Sequence, residues 1–276
     1  MRCALTALTA ACVALPALAQ PGRVIAIGDE WLLSDEAFVQ QPGQSAQLAT
    51  NIAGYFNGST GNFLVLSNSS AITFPGQRGV LGDGLANVMI NAGRSWIVNP
   101  EEFTLSLAAL QSYDAVFFSG TAGSGTANAS ILAQYVNGGG NVLVMAGTGD
   151  FGSPEAEANA WNPFLNQFGL GFGGSWFGLR QGPNLLNVPT LPSTHPLGSF
   201  INGVQWDYGQ TAFDLDSNDP LNEVALLGNF TGFASPPDTA GAVAPIIATY
   251  NVPLPAPGAA TLLALGSLSL ARRRRH

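Results

Sequence analysis

Five short, unbroken apolar runs punctuate the first half of the chain, at residues 23–28, 62–66, 95–98, 114–119 and 141–146. Runs of this length suit strands rather than helices, and a strand buried on both faces of a parallel sheet reads as continuous apolar sequence rather than as an alternation. The segments between them have helical spacing. Leu48, Ile52, Tyr55 and Phe56 recur within 44–56 and stop at Asn57-Gly58; Leu85, Val88 and Met89 precede Gly93; a short helix is expected over 105–110; Ile131, Leu132, Tyr135 and Val136 end at Gly138-Gly139-Gly140. Strands alternating with helices imply a parallel sheet covered on both faces, and right-handed crossovers make it doubly wound α/β. After a helix over 161–168 the pattern changes. Strands expected at 204–208, 211–215, 223–227 and 242–250 follow one another by short turns, as an antiparallel C-terminal extension of the same sheet.

The two ends of the chain read differently. Arg2, an apolar stretch from Cys3 to Leu15, and Ala17-Leu18-Ala19 have the order of a secretory signal peptide cut after Ala19. A lipoprotein reading would use Cys12, but little apolar sequence precedes that residue. At the other end Pro253, Pro255 and Pro257 lead into an almost uncharged run over 258–271, followed by Arg272, Arg273, Arg274 and Arg275. As a helix this run would rise roughly 21 Å, short of the roughly 30 Å hydrocarbon core. The arginines should stay cytoplasmic and leave the preceding chain outside. The tail resembles the PEP-CTERM class of bacterial sorting signals, with Ala256 where that motif has a central Glu. This resemblance implies a membrane processing protease as a partner, transient membrane anchoring, and delivery to the cell surface. Three parts are expected: signal peptide 1–19, one domain over 20–252, and sorting tail 253–276.

Composition narrows the chemistry of the domain. Both cysteines, Cys3 and Cys12, fall in the signal peptide, so the exported chain has no disulfide, thiolate zinc site or cysteine nucleophile. Lysine is absent. Between the two signals four arginines face seventeen acidic residues, a formal charge of −13. Such a surface repels nucleic acid, and no P-loop lysine or basic cluster exists to cradle a nucleotide. No cofactor is called for. An extracellular polysaccharide or envelope protein is the kind of partner that fits.

Residues 113–124, from Tyr113-Asp114-Ala115-Val116 to Gly123-Ser124, then a helix, then residues 140–149 ending in Met145-Ala146-Gly147-Thr148-Gly149, resemble the class I glutamine amidotransferase-like fold over roughly 24–170. The resemblance implies a flavodoxin-like sheet, with an oxyanion turn after the first of these strands and a nucleophile elbow after the second. The elbow has neither cysteine nor serine, and His195 is followed by Pro196-Leu197 instead of the family's His-x-Glu. Glutamine hydrolysis by the family mechanism is therefore not expected. Thr148 is a candidate substitute nucleophile with His195 as its base; the competing reading is a turn threonine and a loop histidine.

Two carboxylate clusters carry the remaining chemistry. Asp29 and Glu30 follow the first strand and Asp150 follows the fifth, so all three fall at the carboxyl edge of the sheet, where ligands bind. Together they form a candidate ligand site, cation holder or acid–base pair; alternatively they cap the next helices. Asp214, Asp216 and Asn218 begin like a calcium loop, but Asp219 replaces the turn glycine and Ala225 stands where a bidentate Glu belongs, so an Asx-rich turn fits better. The leading expectation is a non-catalytic, exported, surface-sorted binding or structural protein. Its rival is an extracellular hydrolase using Asp29, Glu30 and Asp150. Secreted material should begin at Gln20; an intact mass that retains residues 1–19 refutes the export reading.

Overall fold

The computed structural model describes residues 22–56, 61–68, 80–99, 101, 103–233, 236 and 242–251. The expected signal peptide, the tail with Pro253, Pro255, Pro257 and Arg272 to Arg275, and the Asn57-Gly58 helix stop lie outside the described residues.

Strand β1 (Val24–Ile27) leads through helices α1 (Asp35–Gln40) and α2 (Pro42–Tyr55) to β2 (Asn62–Ser67). Helix α3 (Asp83–Asn91), β3 (Ser95–Val98), α4 (Leu107–Leu110), β4 (Ala115–Ser119), α5 (Thr126–Asn137), β5 (Asn141–Met145) and α6 (Pro154–Leu165) continue the alternation. The second half holds β6 (Leu170–Phe172), β7 (Leu186–Pro189), β8 (Gly203–Trp206), β9 (Ala212–Asp214), β10 (Asn222–Asn229) and β11 (Val243–Tyr250). The central sheet runs β10-β11-β1-β5-β4-β2-β3. Its five strands from β1 to β3 are parallel, whereas β11 joins β1 and β10 joins β11 antiparallel. The α/β fold with a mostly parallel sheet and antiparallel C-terminal strands is thus as the periodicity predicts.

The sheet buries both faces. Ile25, Ile27, Phe63, Val65, Phe117, Leu143 and Met145 point into one core with α2 and α3; Val24, Ala26, Leu64, Val116, Phe118, Val142 and Val144 point into the other with α5 and α6. Alternate residues of β1, β2, β4 and β5 thus enter different cores, which explains their unbroken apolar runs, whereas the edge strand β3 leaves Ser95 and Val98 exposed. Phe117 sits at the centre of the first core, with ring centroids 5.5 Å from Phe63, 5.7 Å from Phe56 and 4.9 Å from Trp96.

Two of the expected sheet-extending strands do not extend the sheet. β8 pairs with β7 and β9 pairs with β6, as separate two-stranded ribbons. The pairing explains the difference. Val204 and Trp206 of β8 belong to the first core and Ala212 of β9 to the second, so the chain crosses from one face of the sheet to the other between them. That crossing passes over the carboxyl end of β1. Gly28 N donates to Ile246 O at 2.9 Å and Gln210 N donates to Gly28 O at 2.7 Å. A Cβ on Gly28 would lie 1.9 Å from the Gln210 carbonyl oxygen, so only glycine admits the crossing there.

Candidate functional site

The direction in which successive connections wind reverses between the parallel strands β2 and β4. β2 continues outward to β3 while β4 continues inward to β5, so their carboxyl ends form the topological switch point at which open α/β sheets bind ligands. Ser67 and Ser119 face each other at the last register position of this pair. Ser67 Oγ donates to Ser119 Oγ at 3.3 Å, and Ser119 Oγ donates in turn to Glu30 Oε2. All three side chains are buried. Glu30 also anchors β1 to the next strand, since its N–H donates to Ala146 O at 2.8 Å.

The turn after β5 is filled by the chain itself. Gly147 has φ 74°, the left-handed region, and Gly147 N donates to Glu157 Oε2 at 3.0 Å. Thr148 donates twice to Glu157 Oε1, from its N–H at 3.3 Å and its hydroxyl at 2.7 Å. Gln210 Nε2 supplies a fourth donor, to Oε2. Two successive backbone N–H groups, a hydroxyl and an amide make an anion-binding concavity, and the Glu157 carboxylate occupies it. Glu157 reaches it from the first turn of α6, whose N-cap Ser153 accepts from Ala156 N at 3.1 Å with Pro154 at the first helical position.

Asp29 closes the same edge from the other side. Its Oδ1 accepts from Trp31 N at 2.9 Å, capping the 3₁₀ turn Glu30–Leu33, and its Oδ2 accepts from Asp207 N at 2.6 Å. Asp207 is paired with Arg180 Nε at 2.7 Å, and Arg180 Nη1 reaches Glu36 at 3.1 Å. The Arg180 guanidinium lies 4.6 Å from the Trp31 ring centroid.

The structure therefore brings some predicted residues together and separates others. Asp29 and Glu30 are adjacent and buried; Asp150, half-buried, belongs to the β5 turn, where its N–H meets Thr148 Oγ1 at 3.5 Å. Among the described residues no group of three or more His, Cys, Asp or Glu is arranged to hold a metal ion. Thr148 and His195 occupy opposite edges of the sheet. His195 Nε2 lies 3.3 Å from Thr249 Oγ1, and Thr249 pairs with Ile25 at the start of β1, whereas Thr148 follows the end of β5. His195 Nδ1 accepts from Leu197 N at 3.1 Å, the bond of an N-cap. Asp214, Asp216 and Asn218 form a ladder of Asx turns, Asp216 N donating to Asp214 Oδ1 at 2.9 Å and Asn218 N to Asp216 Oδ1 at 3.0 Å. Ser67, Glu157, Asp207 and Gln210 are the edge residues that sequence reasoning missed. One signal did exist: Glu157 lies one turn before Trp161, on the buried face of α6, and a carboxylate on an apolar helix face needs donors.

Burial raises the carboxyls of Asp29, Glu157 and Asp207 above the ordinary range, against the pull of the hydrogen bonds they accept. A raised folded-state pKa gives stability that is complete below the unfolded value and is lost as pH rises through the folded one. His195 behaves oppositely. Burial, aided by the Arg23 charge, lowers it from 6.5 to about 4, so its contribution is complete above pH 6.5 and is lost as pH falls toward 4.

No family model matches the chain, and no curated protein matches it in sequence. Among solved structures it is similar to the crystal structure of a peptidase from an acI-B1 Actinobacterium, at 13% identity and a TM-score of 0.28. That alignment covers 51% of this chain and 57% of the peptidase chain.

Glu157→Ala strands four donors that cost about 1–3 kcal/mol each when buried and unpaired, so urea unfolding should show a loss of at least about 3 kcal/mol. For His195, ring NMR signals should titrate with a midpoint near pH 4. His195→Asn keeps an acceptor for Leu197 N but removes the titration. The stability difference between wild type and this variant should therefore shift against wild type as pH falls from 6.5 to 4; a flat difference refutes the assignment.

Proposed function

We propose that this chain is an exported, surface-sorted, non-catalytic protein of the cell envelope or extracellular matrix, acting as a binding or structural component on an amidotransferase-like α/β domain. The observation that carries the reading is the occupied turn after β5. In that position the amidotransferase-like resemblance places a nucleophile, and here the Thr148 hydroxyl is buried and spends its proton on Glu157. The anion-binding N–H groups that would meet a substrate oxygen meet the same internal carboxylate. Asp29 is likewise engaged with two backbone N–H groups. The signal-like N-terminus and the Pro253 to Arg275 tail support export and delivery by a membrane processing protease. The −13 charge of the body supports an extracellular polysaccharide or envelope protein as partner rather than nucleic acid.

The rival reading, a hydrolase using Asp29, Glu30 and Asp150, makes a different prediction. Converging carboxylates would bind a divalent cation and gain stability from it. Millimolar calcium or magnesium should leave the melting temperature unchanged apart from general ionic-strength effects. A cation-induced rise that disappears in both Asp29→Asn and Asp150→Asn would overturn the proposal and favour the hydrolase.

A further inference from the structure

At the amino edge of the sheet, opposite the buried carboxylates, Arg23, Thr50, Asn51, Gly54, Ser199 and Asn251 line an open cavity of about 420 Å³. This size lies within the range of small-molecule sites, about 300–1,000 Å³. Arg23 enters it as a half-buried cation without a carboxylate partner among the described residues, in a body that has seventeen acids for four arginines. Its orientation is fixed. Nε donates to Asn251 Oδ1 at 2.9 Å, Nη1 donates to the Tyr55 carbonyl, and the guanidinium lies 4.7 Å from the Tyr55 ring centroid. Nη2 makes no hydrogen bond to a described residue.

The wall is prepared in the same sense. Asn51 Nδ2 is spent on the carbonyls of Leu197 and Ser199, both at 2.9 Å, which holds the Pro196 to Ser199 wall against α2. Ser199 Oγ and Asn251 Nδ2 make no hydrogen bond to a described residue. Thr50 Oγ1 donates to Ala46 O at 2.8 Å and keeps its acceptor capacity. Among the described residues the lining contains no carboxylate. One planar cation beside an amide donor suits one planar anion, since a guanidinium pairs with a carboxylate through two parallel N–H bonds. A phosphate dianion would leave a second charge without a cation in an acidic protein. Hydroxyl groups on the ligand suit Ser199 and Thr50.

We infer that this cavity is a binding site for a sugar acid, with the carboxylate of a uronic acid residue on Arg23 and Asn251 and its hydroxyls on Ser199 and Thr50. The inference rests on the binding reading above only for the kind of partner. The cation test there concerns the opposite edge of the sheet, so either can fail alone.

The test is calorimetric titration of the whole protein at low ionic strength with glucuronate, glucose and acetate. Glucuronate should bind one to one and at least tenfold more tightly than glucose, which lacks the carboxylate, or acetate, which lacks the hydroxyls. Arg23→Gln should weaken glucuronate at least tenfold. Because Arg23 also anchors the end of α2, Gly54→Gln provides a second variant. A Cβ at Gly54 meets nothing within 4 Å, so the longer side chain should project into the cavity without disturbing the fold, and it too should weaken glucuronate at least tenfold at a melting temperature no lower than wild type, since a helical glycine is replaced by a better helix former. Equal binding of glucuronate with either control, or glucuronate binding unaltered in Gly54→Gln, overturns the inference.

Discussion

Burial of the central strands on both faces is the constraint from which the other features follow. β1, β4 and β5 have no exposed side chain, so polar chemistry is confined to the two ends of the sheet. The carboxyl end collects what the strands cannot carry: Asp29 and Glu30 after β1, Ser67 and Ser119 at the ends of β2 and β4, Thr148 after β5. Once there, these groups are covered by the 206–210 crossing and by α6, and each covered polar group needs a partner inside the protein. The pairing of Ser119 with Glu30 and of Thr148 with Glu157 is the result.

Such an edge is expensive to assemble and resists rearrangement. A buried carboxylate loses several kcal/mol of hydration, and donors aimed at its oxygens recover that loss only when all are in place. Glu157, carried by α6, gathers its donors from two other segments, the β5 turn and the loop before β9. The segments are therefore locked together at the place where many α/β proteins keep movable loops. A scaffold with a fixed upper edge suits a protein whose interactions are made elsewhere on its surface.

The fold was largely legible because its signal is local. The run at 95–98 coincides with β3, and the other four core strands begin or end within one residue of the expected limits. Helix α6 begins at Pro154, seven residues before the 161 that the apolar spacing gives, because its start is marked by the Ser153 cap and Pro154 rather than by apolar residues. β6 and β7 were missed for a physical reason. Leu170–Phe172 is too short for periodicity, and Leu186–Pro189 has one buried residue and ends in proline. Asp29 and Glu30 were identifiable because they follow a strand directly. Gln210 and Asp207 were not, since their roles arise from the chain crossing over Gly28, a long-range approach that leaves no pattern in their own neighbourhood.

The pairing of β1 with β11 has a mechanical side. The strands are antiparallel neighbours, Val24 opposite Tyr250, so Gly22 and Asn251 emerge next to each other at one edge of the domain. Tension applied between these ends pulls the two strands apart sideways and loads their hydrogen bonds one after another instead of all at once. The Arg23–Asn251 bond is the first to take that load. A ligand held by the same two side chains would reinforce the point at which the domain starts to unzip, so that occupancy and resistance to pulling become one property.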